Sequence, residues 1–182
     1  LTNLFKILFL GTLLYAQWNV YRPADNSFSA KLPGKYEMSS DTISTEAGDI
    51  TVTFVHHRCR LDNYCHHDDP HSDYALLHMD YPLGTFPSDS TELISLFLAE
   101  SIENRRIELG KETVLDYIAD LDRDDYEGKI VRFSNPKTKA FCKGKFIVYD
   151  DRLIVMQVVS SQKQIQRAEV GQFLDSFDPN LN

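Results

Sequence analysis

Positive charge is what this sequence is shortest of. Against 27 Asp and Glu stand 19 Lys and Arg, a formal net charge of −8 over 182 residues. Non-specific nucleic-acid binding draws its affinity from cations that displace phosphate counterions. Docking on anionic lipid draws on the same charges, so the balance weighs against both partner classes. Long apolar runs are missing too: nothing approaches the roughly 20 apolar residues that span a bilayer. Only eight glycines occur. There is no Gly-rich phosphate loop, G-x-S-x-G elbow, H-E-x-x-H or C-x-x-C pattern. A Ser–His–Asp triad assembled from distant residues stays open. Three cysteines are too few for a disulfide-built scaffold.

Aromatic residues are plentiful. Eleven Phe and nine Tyr, within 42% hydrophobic residues, are enough to fill the core of one domain without a cofactor or many disulfides.

The N-terminus reads as an address. Lys6 precedes an apolar run, Ile7 to Leu14, and the small residue Ala16 follows, the order of a secretory signal. Residues 1–16 are therefore expected to be a signal peptide and 17–182 a single domain, periplasmic or secreted, with no integral membrane span in the mature chain. The alternative is a buried N-terminal helix or strand. No Cys stands near the cleavage point, so a lipoprotein anchor is not expected.

Along the mature chain, short alternating or β-branched segments predict strands at Phe28–Leu32, Tyr36–Met38, Ile50–Val55, Tyr74–Tyr81, Thr113–Ala119, Gly128–Ser134, Lys139–Tyr149 and Leu153–Ser160. Pro33-Gly34 ends the first of them, and Asp150-Asp151 joins the last two as a tight hairpin. Asp89-Ser90-Thr91-Glu92 has the form of a capping box. Leu93, Ile94, Phe97, Leu98 and Ile102 then recur at helical spacing, up to a stop at Gly110. A second helix is expected from about Gln164 to Phe177, with Val170, Phe173, Leu174 and Phe177 on one face. The expected fold class is α+β: a single domain with an antiparallel sheet of about six strands flanked by two main helices.

Four short motifs occur in order: Phe28-Ser29-Ala30-Lys31-Leu32-Pro33-Gly34, Tyr126-Glu127-Gly128, Arg152-Leu153 and Phe173-Leu174-Asp175-Ser176-Phe177. The pattern resembles small exported bacterial proteins of the PsbP/Mog-like fold, over roughly Trp18 to Asp178. The resemblance implies an antiparallel sheet between helices, in a superfamily that mainly binds partners; photosystem subunits and a small GTPase-binding protein share it. It brings no catalytic motif and no active-site residue.

Chemistry concentrates in one segment. All six histidines fall between 56 and 78: His56, His57, His66, His67, His71 and His78. Cys59, Cys65, Asp68, Asp69 and Asp73 lie among them. Imidazole, thiolate and carboxylate are transition-metal ligands. If Ile50–His57 pairs with Tyr74–Tyr81 about a loop centred near 67, His56 faces His78 across the hairpin, and His66, His67, Asp69 and His71 sit at its tip. Such a set suits zinc or copper. The competing reading is a solvated polar loop with Cys59 and Cys65 joined in a disulfide, worth about 2 kcal/mol if unstrained. That reading leads, because no spacing here matches a standard zinc motif. Cys142, in an apolar strand pattern, reads as a buried thiol.

Asp120–Gly128 alternates carboxylates, but Asp125 stands where a calcium loop needs Gly, and Val131 where it needs Glu. A solvated acidic turn is expected there. Trp18 and Tyr21 could stack a ligand, but anchoring the first strand is the leading reading. The leading function is a non-enzymatic binding or interaction module in the cell envelope, its partner a protein or a small ligand. A metal-binding protein is the alternative and an exported hydrolase the third.

Overall fold

The computed structural model describes residues 18–46, 48–58, 72–87 and 90–180. Among them, ten strands are arranged in two sheets. The elements run β1 (Trp18–Tyr21), β2 (Phe28–Pro33), β3 (Glu37–Thr45), β4 (Gly48–Arg58), β5 (Asp73–Asp80), α1 (Thr91–Glu108), β6 (Val114–Asp120), β7 (Glu127–Asn135), β8 (Ala140–Tyr149), β9 (Arg152–Ser161), a 3-10 turn (Gln164–Gln166), α2 (Ala168–Leu174) and β10 (Asp178–Pro179).

The large sheet has seven strands in the order β3-β4-β5-β9-β8-β7-β6, and the small one has three, β1-β2-β10. Every pair is antiparallel. The α+β class and antiparallel sheet agree with the sequence; a single sheet of about six strands does not. Two strands, β1 and β10, were not expected, and β3 runs well beyond the expected Tyr36–Met38. β1 and β10 are four and two residues long, too short to carry a period. β3 is exposed along its whole length, so its Ser/Thr-rich sequence has no apolar alternation to read.

Two local hairpin series meet in the middle of the large sheet. β3, β4 and β5 form one and β6 to β9 the other, and pairing of β5 with β9 joins them. Side chains alternate between the two faces, and each face has its own core. One face packs Val131, Phe133, Cys142, Phe146, Val148, Leu153 and Val155 under Ile94, Leu98 and Ile102 of α1. The other packs Val55, Leu76, Ile147, Ile154 and Met156 against the small sheet and the chain end, through Phe28, Leu32, Val170, Phe173 and Leu174.

α1 differs from expectation in two details. Its N-cap residue is Ser90, whose carbonyl accepts the Ile94 N–H at 3.0 Å; Asp89 lies outside the described residues. Leu93 faces solvent rather than the sheet, because the inward stripe runs through 94, 98 and 102. The terminal helix is shorter than expected. Arg167 is extended (φ −68°, ψ 153°) and separates the 3-10 turn from α2. Phe177 is buried as expected, but beyond the helix, where its ring meets Phe28, Tyr126 and Tyr149. Gly128 is required by a close approach: a Cβ there would lie 2.8 Å from the Phe146 carbonyl oxygen.

Candidate functional site

The β4–β5 register decides the fate of the histidine pair. Thr53 lies opposite His78, and His56 lies opposite Ala75. This is three residues away from the assumed pairing, so His56 and His78 point to opposite faces of the sheet. They do not share a site. The observed register centres the hairpin between residues 65 and 66 rather than at 67. His66, His67, Asp69, His71, Cys59 and Cys65 lie outside the described residues. Among the described residues, no group of three or more His, Cys, Asp or Glu could hold a metal.

The three remaining histidines do separate things. His56 stacks on Phe54, centroids 5.1 Å apart, with Nε2 3.3 Å from a Glu37 carboxylate oxygen. Its Nδ1 is buried without a hydrogen-bond partner. His57 is buried and its Nδ1 donates to the Lys35 carbonyl at 2.5 Å. Its ring covers Gly34, which has φ +73° and where a Cβ would stand 2.8 Å from Cε1. The Pro33-Gly34 turn therefore needs Gly twice, for conformation and for space.

His78 belongs to a polar cluster in which Arg152 makes the most bonds. It is 3% exposed and Tyr21 4%. The Tyr21 hydroxyl lies 2.7 Å from His78 Nε2, and His78 Nδ1 lies 3.3 Å from Asp80 Oδ1. Both contacts are satisfied by the neutral ring protonated on Nδ1, which donates to Asp80 while Nε2 accepts from the phenol. Arg152 Nε donates to Asp80, Nη1 to Ser27 Oγ and Nη2 to Asp25 Oδ2 at 2.5 Å. The cluster thus runs Tyr21–His78–Asp80–Arg152–Asp25. Phe28 meets the His78 ring edge-on at 5.5 Å, and Tyr36 meets Tyr21 at 6.1 Å.

Its electrostatics favour closure over catalysis. Burial, helped by the Asp80 charge, pushes Tyr21 up to about 12, so its phenol keeps its proton at neutral pH. Burial alone would raise Asp80, but hydrogen bonds from His78 and Arg152 outweigh it and hold the carboxyl below its ordinary value. Burial opposes the Arg152 charge, yet the two carboxylates leave the guanidinium pKa raised. A protonated, buried phenol is a poor base and a poor nucleophile. The arrangement ties β1 and the β1–β2 turn to β5 and β9 by charge-assisted hydrogen bonds.

Tyr21 therefore anchors the first strand, and Trp18 packs at the margin of the same core. Arg152, Asp80 and Asp25 are the residues that sequence reasoning missed. The Asp80–Arg152 pair follows from β5–β9 pairing, which sets them directly opposite although they are 72 residues apart. No local signal reports such a contact. In the acidic turn, Asp120 is held by Lys129 and Asp125 by Arg123 at 3.1 Å. Arg123 also sits 5.3 Å from the centre of the Tyr126 ring. Cys142 is a buried free thiol, pushed by burial up to about 12, hence unreactive.

No protein-family model matches the sequence, and no curated protein matches it. Among solved structures, cyanobacterial PsbP from Synechocystis sp. PCC 6803 is similar, with a TM-score of 0.53 and 10% identity, over 93% of this chain and 96% of that one. The chain therefore has a PsbP-like fold. A Pseudomonas aeruginosa protein of unknown function, PA94, gives a TM-score of 0.41 and 10% identity, over 85% and 90% of the two chains. Among the described residues, no helix is long and apolar enough to cross a membrane.

Proposed function

We propose that this chain is an exported, non-enzymatic interaction module of the cell envelope that docks a protein partner through the outer strands of its large sheet. The observation that carries the reading is the contrast between a closed polar cluster and open apolar edges. Among the described residues, the titratable side chains Tyr21, His78 and Asp80 are bonded to one another inside the molecule. Large apolar residues stand in solvent instead: Met38 is 62% and Ile43 53% exposed on β3, and Tyr117 50% on β6. Both strands are edges of the seven-stranded sheet, each with one side to which a further strand can be added. The PsbP-like fold supports the reading only as analogy.

Photo-crosslinking tests it. A photoreactive residue at Ile43 or Ile118 of the cell-expressed chain is expected to trap a discrete protein adduct in the envelope fraction, and one at exposed Gln172 is not. Equal labelling at all three positions would count against docking at the edges. Export is tested on the same material: the recovered chain should begin near Gln17 and fractionate outside the cytoplasm. The metal reading is weaker, because its cross-strand pair is lost to the register.

A further inference from the structure

Half-buried cations recur among the described residues, and in a chain of net charge −8 carboxylates are abundant. Arg105, Arg106, Lys129, Lys145 and Arg152 each hold a carboxylate. Arg132 and Lys143 hold none, and they are directly opposite each other on β7 and β8. Their side chains share the sheet face of the small sheet and α2, but lie out toward the β6 edge. Directly opposed cross-strand side chains have Cβ atoms about 4.5–5.5 Å apart, and like charges there are destabilising. Tyr117, half exposed, continues the row as the partner of Arg132 on β6. Lys145 follows two residues along β8, held at 2.7 Å by the exposed Asp175. The acid on the neighbouring bulge, Asp116, is taken by Ser134 Oγ at 2.9 Å.

We propose that Arg132 and Lys143, with Tyr117 beside them, form a binding site for a phosphate group carried by a small molecule or a lipid headgroup. A dianionic oxyanion is matched to this geometry. The planar guanidinium presents two parallel N–H donors to two phosphate oxygens. The lysine ammonium supplies a second charge from across the strand pair, and the Tyr117 ring offers a face and a hydroxyl to whatever carries the phosphate. One doubly charged ligand removes the repulsion between the cations, which a monovalent counterion does only in part. This site shares Tyr117 with the β6 docking edge but rests on Arg132 and Lys143, which the docking reading does not use, so either can fail without the other.

The test is the melting temperature of the full chain in inorganic phosphate against sodium chloride at matched ionic strength. Phosphate is expected to raise the melting temperature beyond chloride, since a ligand bound only by the native state stabilises it. R132Q and K143Q should each weaken phosphate binding about tenfold, the loss of one charge-assisted contact, and should melt no lower than the parent without phosphate. Equal melting in phosphate and chloride, or an undiminished phosphate effect in both variants, overturns the site. Cosedimentation with phosphatidic acid vesicles, against phosphatidylcholine vesicles, then distinguishes the sources. Binding that free phosphate and R132Q both abolish assigns a headgroup; a phosphate effect without vesicle binding assigns a soluble phosphate compound.

Discussion

The centre and the wings of the large sheet are built from the same strand geometry and have opposite environments. β5, β9 and β8 are covered on both faces: Leu76, Ile147, Ile154 and Met156 by the small sheet and chain end, Phe146, Leu153 and Val155 on the side of α1. β3 is exposed throughout, and β6 nearly so. Central strands pair on both sides and the two edge strands on one, and the difference in burial follows the same division. Apolar area removed from water supplies stability where both faces are covered. At the wings the strands are held by backbone pairing and a few polar side-chain contacts, such as Glu37 with His56 and Asp120 with Lys129, and most of their side chains stand in solvent.

That contrast can be broken or sharpened by substitution. Ile154→Ala, at a fully buried central position, is expected to cost about 2–5 kcal/mol in urea melts. The same change at Ile43 on β3 should stay within about 0.5 kcal/mol. A wing cost equal to the central one would mean that β3 is packed against a partner.

Arg152→Met strips the cation from Asp80 and Asp25 and should cost about 2–3 kcal/mol, toward the low end for a buried pair because Asp25 is half exposed. This variant also has a pH signature. The folded Asp80 pKa lies below its ordinary value, so its contribution is present above about pH 4 and is lost as pH falls through the folded value. Acid titrations of stability should therefore be shallower below pH 4 in Arg152→Met than in the parent.

Tyr21→Phe removes the bond to His78 and should cost about 1 kcal/mol at neutral pH. Tyr21 and Tyr74 are both pushed up from 10.0 to about 12. The unfolded chain thus gives up these protons first, and stability is lost as pH rises from 10 toward 12. Tyr21→Phe should flatten part of that alkaline slope in melts across this range; an unchanged slope would mean that Tyr21 titrates as freely as in the unfolded chain. Smallest of all is the effect expected at the edge itself. Backbone amides of β3 and β6 should exchange by local opening, well before those of β9.

Much of this molecule was legible locally. The two-residue turn between Tyr149 and Arg152, the 94–98–102 stripe and the buried Val170, Phe173 and Leu174 all rest on residues close in sequence. Strand β3 was read for only three residues because an edge strand exposed on both faces has no hydrophobic period. The histidine pair failed for a different reason. His56 and His78 belong to a hairpin whose register depends on its connection, and an odd shift moves a side chain to the other face. The Tyr21–His78–Asp80–Arg152 cluster was invisible because it joins three strands, β1, β5 and β9, that meet only when the two hairpin series close on each other and the small sheet covers them.

By itself, the sequence determined the class of the fold, the antiparallel hairpins and the apolar stripes that cover them, since periodicity and turn chemistry act over a few residues. Only the tertiary structure decided which polar residues share a space: Asp80 with Arg152, Arg132 with Lys143, and His56 apart from His78. Those juxtapositions depend on register and on the β5–β9 closure, and the free energy that selects them comes from burying whole faces of the sheet rather than from any local run of residues.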